Sequence, residues 1–184
     1  FSGGDFVNRE DFLLLKKDII YFDNGATTLK PKVLAETISD YYNNYSANAH
    51  RGDYDISLKA ENLLENSRIA VADFINASNN EIIFTSNATD SLNKIIFGYF
   101  LNYLESGDEV LLTKAEHASN FLPWIKLQEE IGIVIKYIPL ENNKVTIQNV
   151  LSTINNKTKV ISLAHVTNVL GDKRPIKEIC QFAH

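Results

Sequence analysis

Apolar positions in this chain switch between a helical and an extended period. Leu92, Ile95, Ile96, Tyr99, Phe100 and Tyr103 fall at i, i+3, i+4, i+7, i+8 and i+11, which predicts an amphipathic helix. Val33, Leu34, Ile38, Tyr41 and Tyr42 repeat the pattern over 31–45, behind Pro31, a favoured first helical residue. Ala60, Leu63, Leu64, Ser67, Ala70, Val71 and Phe74 predict a helix over 57–74, with Ser57 as its cap. Further helices are predicted over 9–17, 119–131, 146–154 and from Pro175 to His184. Short apolar runs at 81–85, 109–113, 133–138 and 159–163 predict strands, and another at 19–22 leads into Asp23-Asn24-Gly25. Asparagine pairs at 79–80, 142–143 and 155–156 fall between elements, as turn chemistry requires. Strand alternating with helix predicts an α/β fold, a mainly parallel sheet with flanking helices. Such sheets bind ligands outside the carboxyl ends of their strands.

The chain has 184 residues, the length of one domain. Its 45% hydrophobic and 22% charged content is that of a globular protein. A net charge of -5 argues against nucleic acid or an anionic membrane as partner. No apolar run approaches the ~18 residues of a membrane span. The first residues, Phe1-Ser2-Gly3-Gly4-Asp5, show no signal-peptide pattern. The lone Cys180 forms no internal disulfide and fits a reducing compartment. It shares a helix face with Ile176, Ile179 and Ala183, which predicts a core position.

Three predicted strands end in polar turns. Ser86-Asn87-Ala88-Thr89-Asp90 follows 81–85 and opens a helix. It reads either as an Asn87 cap with Asp90 three residues on, or as an anion cradle of helix-terminal N–H groups with the Thr89 hydroxyl. His117 follows 109–113; it is either a surface imidazole or one that stacks on a planar ligand. His165-Val166-Thr167-Asn168 follows 159–163, where Asn168 either shapes a turn or donates to a ligand oxygen. There is no dinucleotide or P-loop fingerprint, and no metal-spaced ligand cluster.

The ordered stretches Tyr21-Phe22-Asp23-Asn24-Gly25-Ala26-Thr27-Thr28, Asn48-Ala49-His50-Arg51-Gly52, 81–85, Glu116-His117-Ala118-Ser119-Asn120 with Pro123-Trp124, and His165-Val166-Thr167-Asn168-Val169-Leu170-Gly171 carry a resemblance. Over roughly 19–184 the chain resembles the N-terminal part of a SufS-type cysteine desulfurase. These are class V aminotransferase, fold-type I enzymes dependent on pyridoxal phosphate. The resemblance implies an N-terminal segment, 1–18, followed by an incomplete large domain, 19–184. It implies His117 as the residue stacked on the pyridine ring and Asn168 as the donor to its phenolic oxygen. It implies Ala88 and Thr89 at the phosphate, Gly25 and Ala26 beside the substrate, and Arg51 reaching the neighbouring subunit's site. Without the resemblance, Asn24-Gly25 reads as a hairpin turn and Arg51 as a surface charge.

The sequence departs from the family pattern at several points. Asn87-Ala88 stands where Gly-Thr is usual, Tyr54 where a histidine is common, and Ala118 at the second histidine of the stacking motif. Asn87 tolerates the left-handed backbone a glycine would favour. The Schiff-base lysine, its ring-nitrogen Asp, the persulfide cysteine and the substrate-binding Arg match nothing in the chain; Cys180 is not that cysteine. The resemblance therefore implies a fragment with no catalytic residue of its own. Its parent would convert L-cysteine to L-alanine, leaving sulfur on the enzyme for iron–sulfur clusters. The parent would be a cytoplasmic or organellar-matrix homodimer that passes sulfur to an acceptor protein. A selenocysteine lyase, an aminotransferase or a non-catalytic scaffold are the alternatives.

Overall fold

The computed structural model describes residues 8–184; residues 1–7, which open the N-terminal segment, lie outside the described residues. Two compact units divide the chain, one ending at Phe84 and one running from Thr85 to His184.

In the first unit, the helix predicted over 9–17 is two 3₁₀ turns, Arg9–Asp11 and Leu13–Lys17. Phe12 between them is extended and Asp18 is left-handed, so neither turn can propagate. α1 (Lys32–Asp40) runs into a π-helical stretch, Tyr41–Tyr45, and α2 spans Asp55–Ile75. Ser57 does not cap α2. It lies buried in the first turn and donates its hydroxyl to the Asn48 carbonyl at 2.8 Å, clamping the preceding loop. The buried line of α2 is Ser57, Ala60 and Ala72, whereas the predicted Leu63, Val71 and Phe74 are exposed. The neighbours of α2 in this unit, Tyr41–Tyr45 and the Asn79–Glu81 turn, cover only that narrow line.

Residues 82–85, predicted as strand, are extended at Ile82 but pair with no other strand among the described residues. A strand needs a second backbone for its N–H and C=O groups. Here the Arg68 guanidinium takes the Ile82 carbonyl instead, and Ile83 is left 80% exposed.

The second unit holds the sheet. β1 (Glu109–Leu112) lies between β2 (Val134–Tyr137) and β3 (Thr158–Ile161), parallel to both. All four residues of β1 are buried, as a central parallel strand demands. Successive side chains leave on opposite faces. Val110 and Leu112 pack with Ile96, Trp124, Leu127 and Ile133 on one face. Leu111 packs with Ile138, Val145, Val150 and Ile179 on the other. The first face is covered by α3 (Ala88–Asn93), a π-helical stretch Lys94–Phe100, a final turn α4 (Leu101–Tyr103), and α5 (Ala118–Ile131). The second is covered by α6 (Ile147–Thr153) and α7 (Ile176–Ala183).

The π-helical stretch explains one difference from the sequence. Its wider turns rotate the apolar face, so Ile96, Phe97, Phe100 and Leu101 meet the core while Ile95, Tyr99 and Tyr103 stay exposed. Gly132 ends α5 at φ 78°, and a Cβ there would stand 2.8 Å from the Ser106 hydroxyl. The left-handed angle is what favours glycine here. No helix among the described residues is long and apolar enough to cross a membrane.

At the amino end of β1, burial pushes the Glu109 carboxyl up, but hydrogen bonds from Lys136 and Asn155 outweigh it and hold the group below its ordinary value. A carboxylate with a depressed folded pKa stabilises the fold above its unfolded pKa. That contribution is lost as pH falls through the folded value. Urea midpoints measured from pH 7 downward should fall more shallowly on acidification in Glu109→Gln than in the unchanged chain. In the core, Leu127→Ala should cost about 2–5 kcal/mol in the same assay.

Candidate cofactor site

The chain leaves β1 at Thr113 and turns to His117, which caps α5. Its Nδ1 accepts the Ser119 N–H at 3.2 Å and lies 2.8 Å from the Ser119 hydroxyl. A histidine cap is unusual. With Nδ1 accepting, the neutral ring carries its proton on Nε2. The cap holds one edge of the exposed ring.

Beneath this turn lies a buried polar network. The Arg174 and Glu116 side chains are both 0% exposed and form an ion pair. Glu116 Oε1 also accepts from the Thr113 hydroxyl at 2.9 Å. Its Oε2 accepts from the Asn120 amide and the Ala164 N–H, each at 2.9 Å. Arg174 donates through its second arm to Thr113 Oγ1 at 2.8 Å and through the first to the Ala164 carbonyl at 3.3 Å. Asn120 in turn accepts the Ser162 hydroxyl at 2.6 Å. Arg174 Nε has no hydrogen-bond partner, with Asp172 Oδ2 standing 4.0 Å away. The network ties the segments beyond β1 and β3 to the start of α5.

Asn168 follows the same logic. Thr167 is buried and closes a turn: its carbonyl accepts from Gly171 N–H at 3.0 Å, and its hydroxyl accepts from Asp172 N–H at 3.2 Å. Asn168 stands exposed at the tip of that turn.

At the third turn, Asn87 caps α3, accepting the Asp90 N–H at 2.9 Å. The Asp90 carboxylate accepts from Ser86 N–H at 3.2 Å, one residue earlier than a capping box, and pairs with Lys94. The Lys94 bond, then the Ser86 amide, lower the Asp90 carboxyl below its ordinary value. Asn87 is extended, at φ -174°, so the turn needs no left-handed residue where the family pattern has glycine. Among the described residues the amides of Ala88 and Thr89 and the Thr89 hydroxyl have no hydrogen-bond partner.

His117 joins these pieces. One hollow is lined by Thr89, Asn93, Phe97, His117, Ala118 and Lys126, and an adjoining one by Lys114, Glu116, His117, Leu140, Asn168 and Leu170. His117 and Ala118 line both hollows, so the imidazole stands between the one that holds Thr89 and the one that holds Asn168. Among the described residues no group of three His, Cys, Asp or Glu side chains is placed to hold a metal.

Gly25, Ala26 and Arg51 belong to the first unit. Asp23 accepts from Ala26 N–H at 3.1 Å and Thr27 N–H at 3.0 Å, and the Tyr21 hydroxyl reaches the Thr27 carbonyl at 2.5 Å. The turn is thus an open one tied by Tyr21, not a hairpin; neither Asn24 nor Gly25 has the positive φ a tight hairpin needs. Arg51 is exposed on the loop that Ser57 clamps. His50, at φ 69°, holds that loop to α2 through Glu61 at 2.9 Å.

The buried network was not legible in the sequence. Arg174 and Glu116 lie 58 residues apart, and the one local signal was Glu116 inside the histidine motif. Cys180, predicted as core, is exposed. Only Ile179 of α7 is buried, and Cys180 stands at the rim of a groove along β3 with Ile161, Ile176 and Phe182.

A parallel sheet with helices on both faces makes this an α/β protein, a class that binds ligands at the carboxyl end of its strands. The model of the aminotransferase class-V family matches residues 20–184. A "Probable cysteine desulfurase" of Synechocystis sp. is 38% identical over 183 residues, covering 96% of this chain and 44% of its own length. Another from Ureaplasma parvum is 44% identical over 156 residues, covering 85% of this chain and 39% of its own. Among solved structures, the apo cysteine desulfurase of Thermococcus onnurineus superposes with a TM-score of 0.89 at 36% identity, covering 95% of this chain and 43% of its own. The cysteine desulfurase CsdA of Escherichia coli gives 0.83 at 27%, covering 96% and 45%. This chain belongs to the aminotransferase class-V family and spans less than half the length of these relatives.

Gly52 offers a local test. A Cβ there would lie 2.5 Å from Tyr54 Cε1 and 2.8 Å from Ser57 Cβ. Gly52→Ala should force the clamped loop off α2 and cost about 1–3 kcal/mol by urea unfolding. Tyr54→Ala in the Gly52→Ala background should recover only part, because Ser57 sits within the helix and cannot retreat.

Proposed function

We propose that this chain carries the ring-stacking and phosphate-binding part of a pyridoxal-phosphate site in a cysteine desulfurase. The observation that carries the reading is His117 standing between two hollows, one lined by Thr89 and one by Asn168, with the outward polar atoms of all three residues unpartnered among the described residues. A phosphate suits the free amides of Ala88 and Thr89 and the Thr89 hydroxyl, at a helix end whose dipole favours negative charge. An aromatic ring suits the open imidazole face, and a phenolic oxygen suits the Asn168 amide. Bound there, pyridoxal phosphate supplies an electron sink for carbanion chemistry.

The chain's own residues hold and orient. The α5 cap fixes the His117 ring by its Nδ1 edge, leaving a face and Nε2 for contact. The Thr167–Gly171 turn fixes the backbone that carries Asn168. Lys94 neutralises Asp90, which removes a like charge from beside the phosphate position. Gly25 and Ala26 would line the substrate side, and Arg51 would reach the site of a second subunit in a homodimer. In this reading residues 19–184 are an incomplete large domain, and no residue of the chain is assigned a catalytic role. The whole enzyme converts L-cysteine to L-alanine and hands sulfur to an acceptor protein, in the cytoplasm or an organellar matrix.

Titration of the isotope-labelled 184-residue chain with pyridoxal phosphate tests the reading by NMR. The amide signals of Ala88, Thr89, His117 and Asn168 should move together. Thr89→Val and His117→Ala should each weaken binding about tenfold. Shifts scattered over surface lysines would sink it. The same chain incubated with L-cysteine and pyridoxal phosphate should yield no alanine above a control without protein.

A further inference from the structure

We propose that the buried Glu116–Arg174 pair is the positioning element that sets the His117 imidazole against the Asn168 amide. The inference rests on the pyridoxal-phosphate reading for its ligand, but not for its geometry.

The two candidate ligand groups come from different strand ends, and no hydrogen bond joins them directly. Each follows in sequence a residue with fixed partners, Glu116 within the network and Thr167 beside it. Glu116, immediately before His117, is held by four partners on its two oxygens: Arg174, Thr113, Asn120 and Ala164. Thr167, immediately before Asn168, is held by Asp172 on its N–H at 3.2 Å and on its hydroxyl. Arg174 connects the two anchors. Its guanidinium lies against Glu116, and its backbone N–H donates to the His165 carbonyl at 2.9 Å. Lys173, its neighbour, closes the antiparallel bridge to Val166. The distance between His117 and Asn168 is therefore set through Arg174. The planar fork matters more than the charge: one arm reaches Glu116 and Ala164, the other Thr113. A lysine offers a single point and cannot span all three.

Two variants separate positioning from plain stability. Arg174→Lys keeps the charge and loses the fork. Glu116→Gln with Arg174→Met removes both charges together, so neither is left buried alone. The readout is the ring preference, meaning the Kd of inorganic phosphate divided by that of pyridoxal phosphate. Both variants should fold and bind inorganic phosphate as the unchanged chain does, while the ring preference falls about tenfold. A folded variant with its ring preference intact overturns the inference, because the pair would then serve the fold alone. Should the unchanged chain show no ring preference, it is the pyridoxal-phosphate reading that fails. The inference is then judged on the ligand-free amide signals of His117 and Asn168. These should be single in the unchanged chain and broadened or doubled in both variants, with Val150 in α6 unaffected. Unmoved signals overturn it. Unfolding of both variants does so too, since the pair would have no positioning role separable from folding.

Discussion

The carboxyl end of this sheet depends on one buried ion pair. Removing two charges from water costs more than their attraction returns unless every remaining donor and acceptor is satisfied. Glu116 meets that condition, with two partners on each oxygen. Arg174 nearly meets it, with only Nε lacking a hydrogen bond. A pair built this way adds little to net stability compared with apolar residues of the same size. What it adds is a single arrangement, because a half-satisfied alternative costs several kcal/mol. It stands beneath the turns that carry His117 from one strand end and Asn168 from another.

The sheet makes that place. Val110 and Leu112 face one helical layer and Leu111 the other, so β1 is fixed on both faces and its carboxyl end cannot shift without breaking two cores. β3 is carried in register with it, and Ser162 and Ala164 arrive beside Asn120 and Glu116. The polar network is therefore a continuation of the strand pairing. Where the backbone ladder ends, side chains take over as the link between neighbouring segments.

The elements that were legible in the sequence are those whose partners lie nearby. β1, β2 and β3 were readable because an apolar run ending in a turn has few other uses, and α5 because Gly132 closes it. The turns holding His117 and Asn168 were readable as polar strand ends, and the one holding Thr89 as a helix start. What misled depends on partners at a distance. Residues 82–85 have strand composition, yet Arg68 takes the Ile82 carbonyl and no second strand pairs with them. The stripe through Ile95, Tyr99 and Tyr103 assumed a regular helix, and the π-helical stretch turned it outward. Ser57 looked like a cap because it precedes an apolar repeat, but it is a clamp on the Asn48 carbonyl. Arg174 sits between a lysine and a proline, where an exposed basic residue is the ordinary expectation; only a carboxylate 58 residues away makes it a core residue.

The sequence offered two readings for each polar turn, a local one or a ligand contact, and treated them as alternatives. The structure makes them compatible. Asn87 does cap α3, and by engaging the Asp90 amide it leaves the Ala88 and Thr89 amides as the ones still facing outward. His117 does cap α5, and by engaging Nδ1 it fixes the ring with Nε2 and one face open. A loosely held side chain would lose rotamer freedom on meeting a ligand, at a cost of about 0.5–1.5 kcal/mol. A side chain already committed to a cap has met that cost during folding. Local satisfaction of one edge is thus the condition under which the other edge becomes a rigid contact. The departure from the family pattern at Asn87-Ala88 follows the same rule: it places at the turn a side chain that caps α3 and leaves the next two amides free among the described residues.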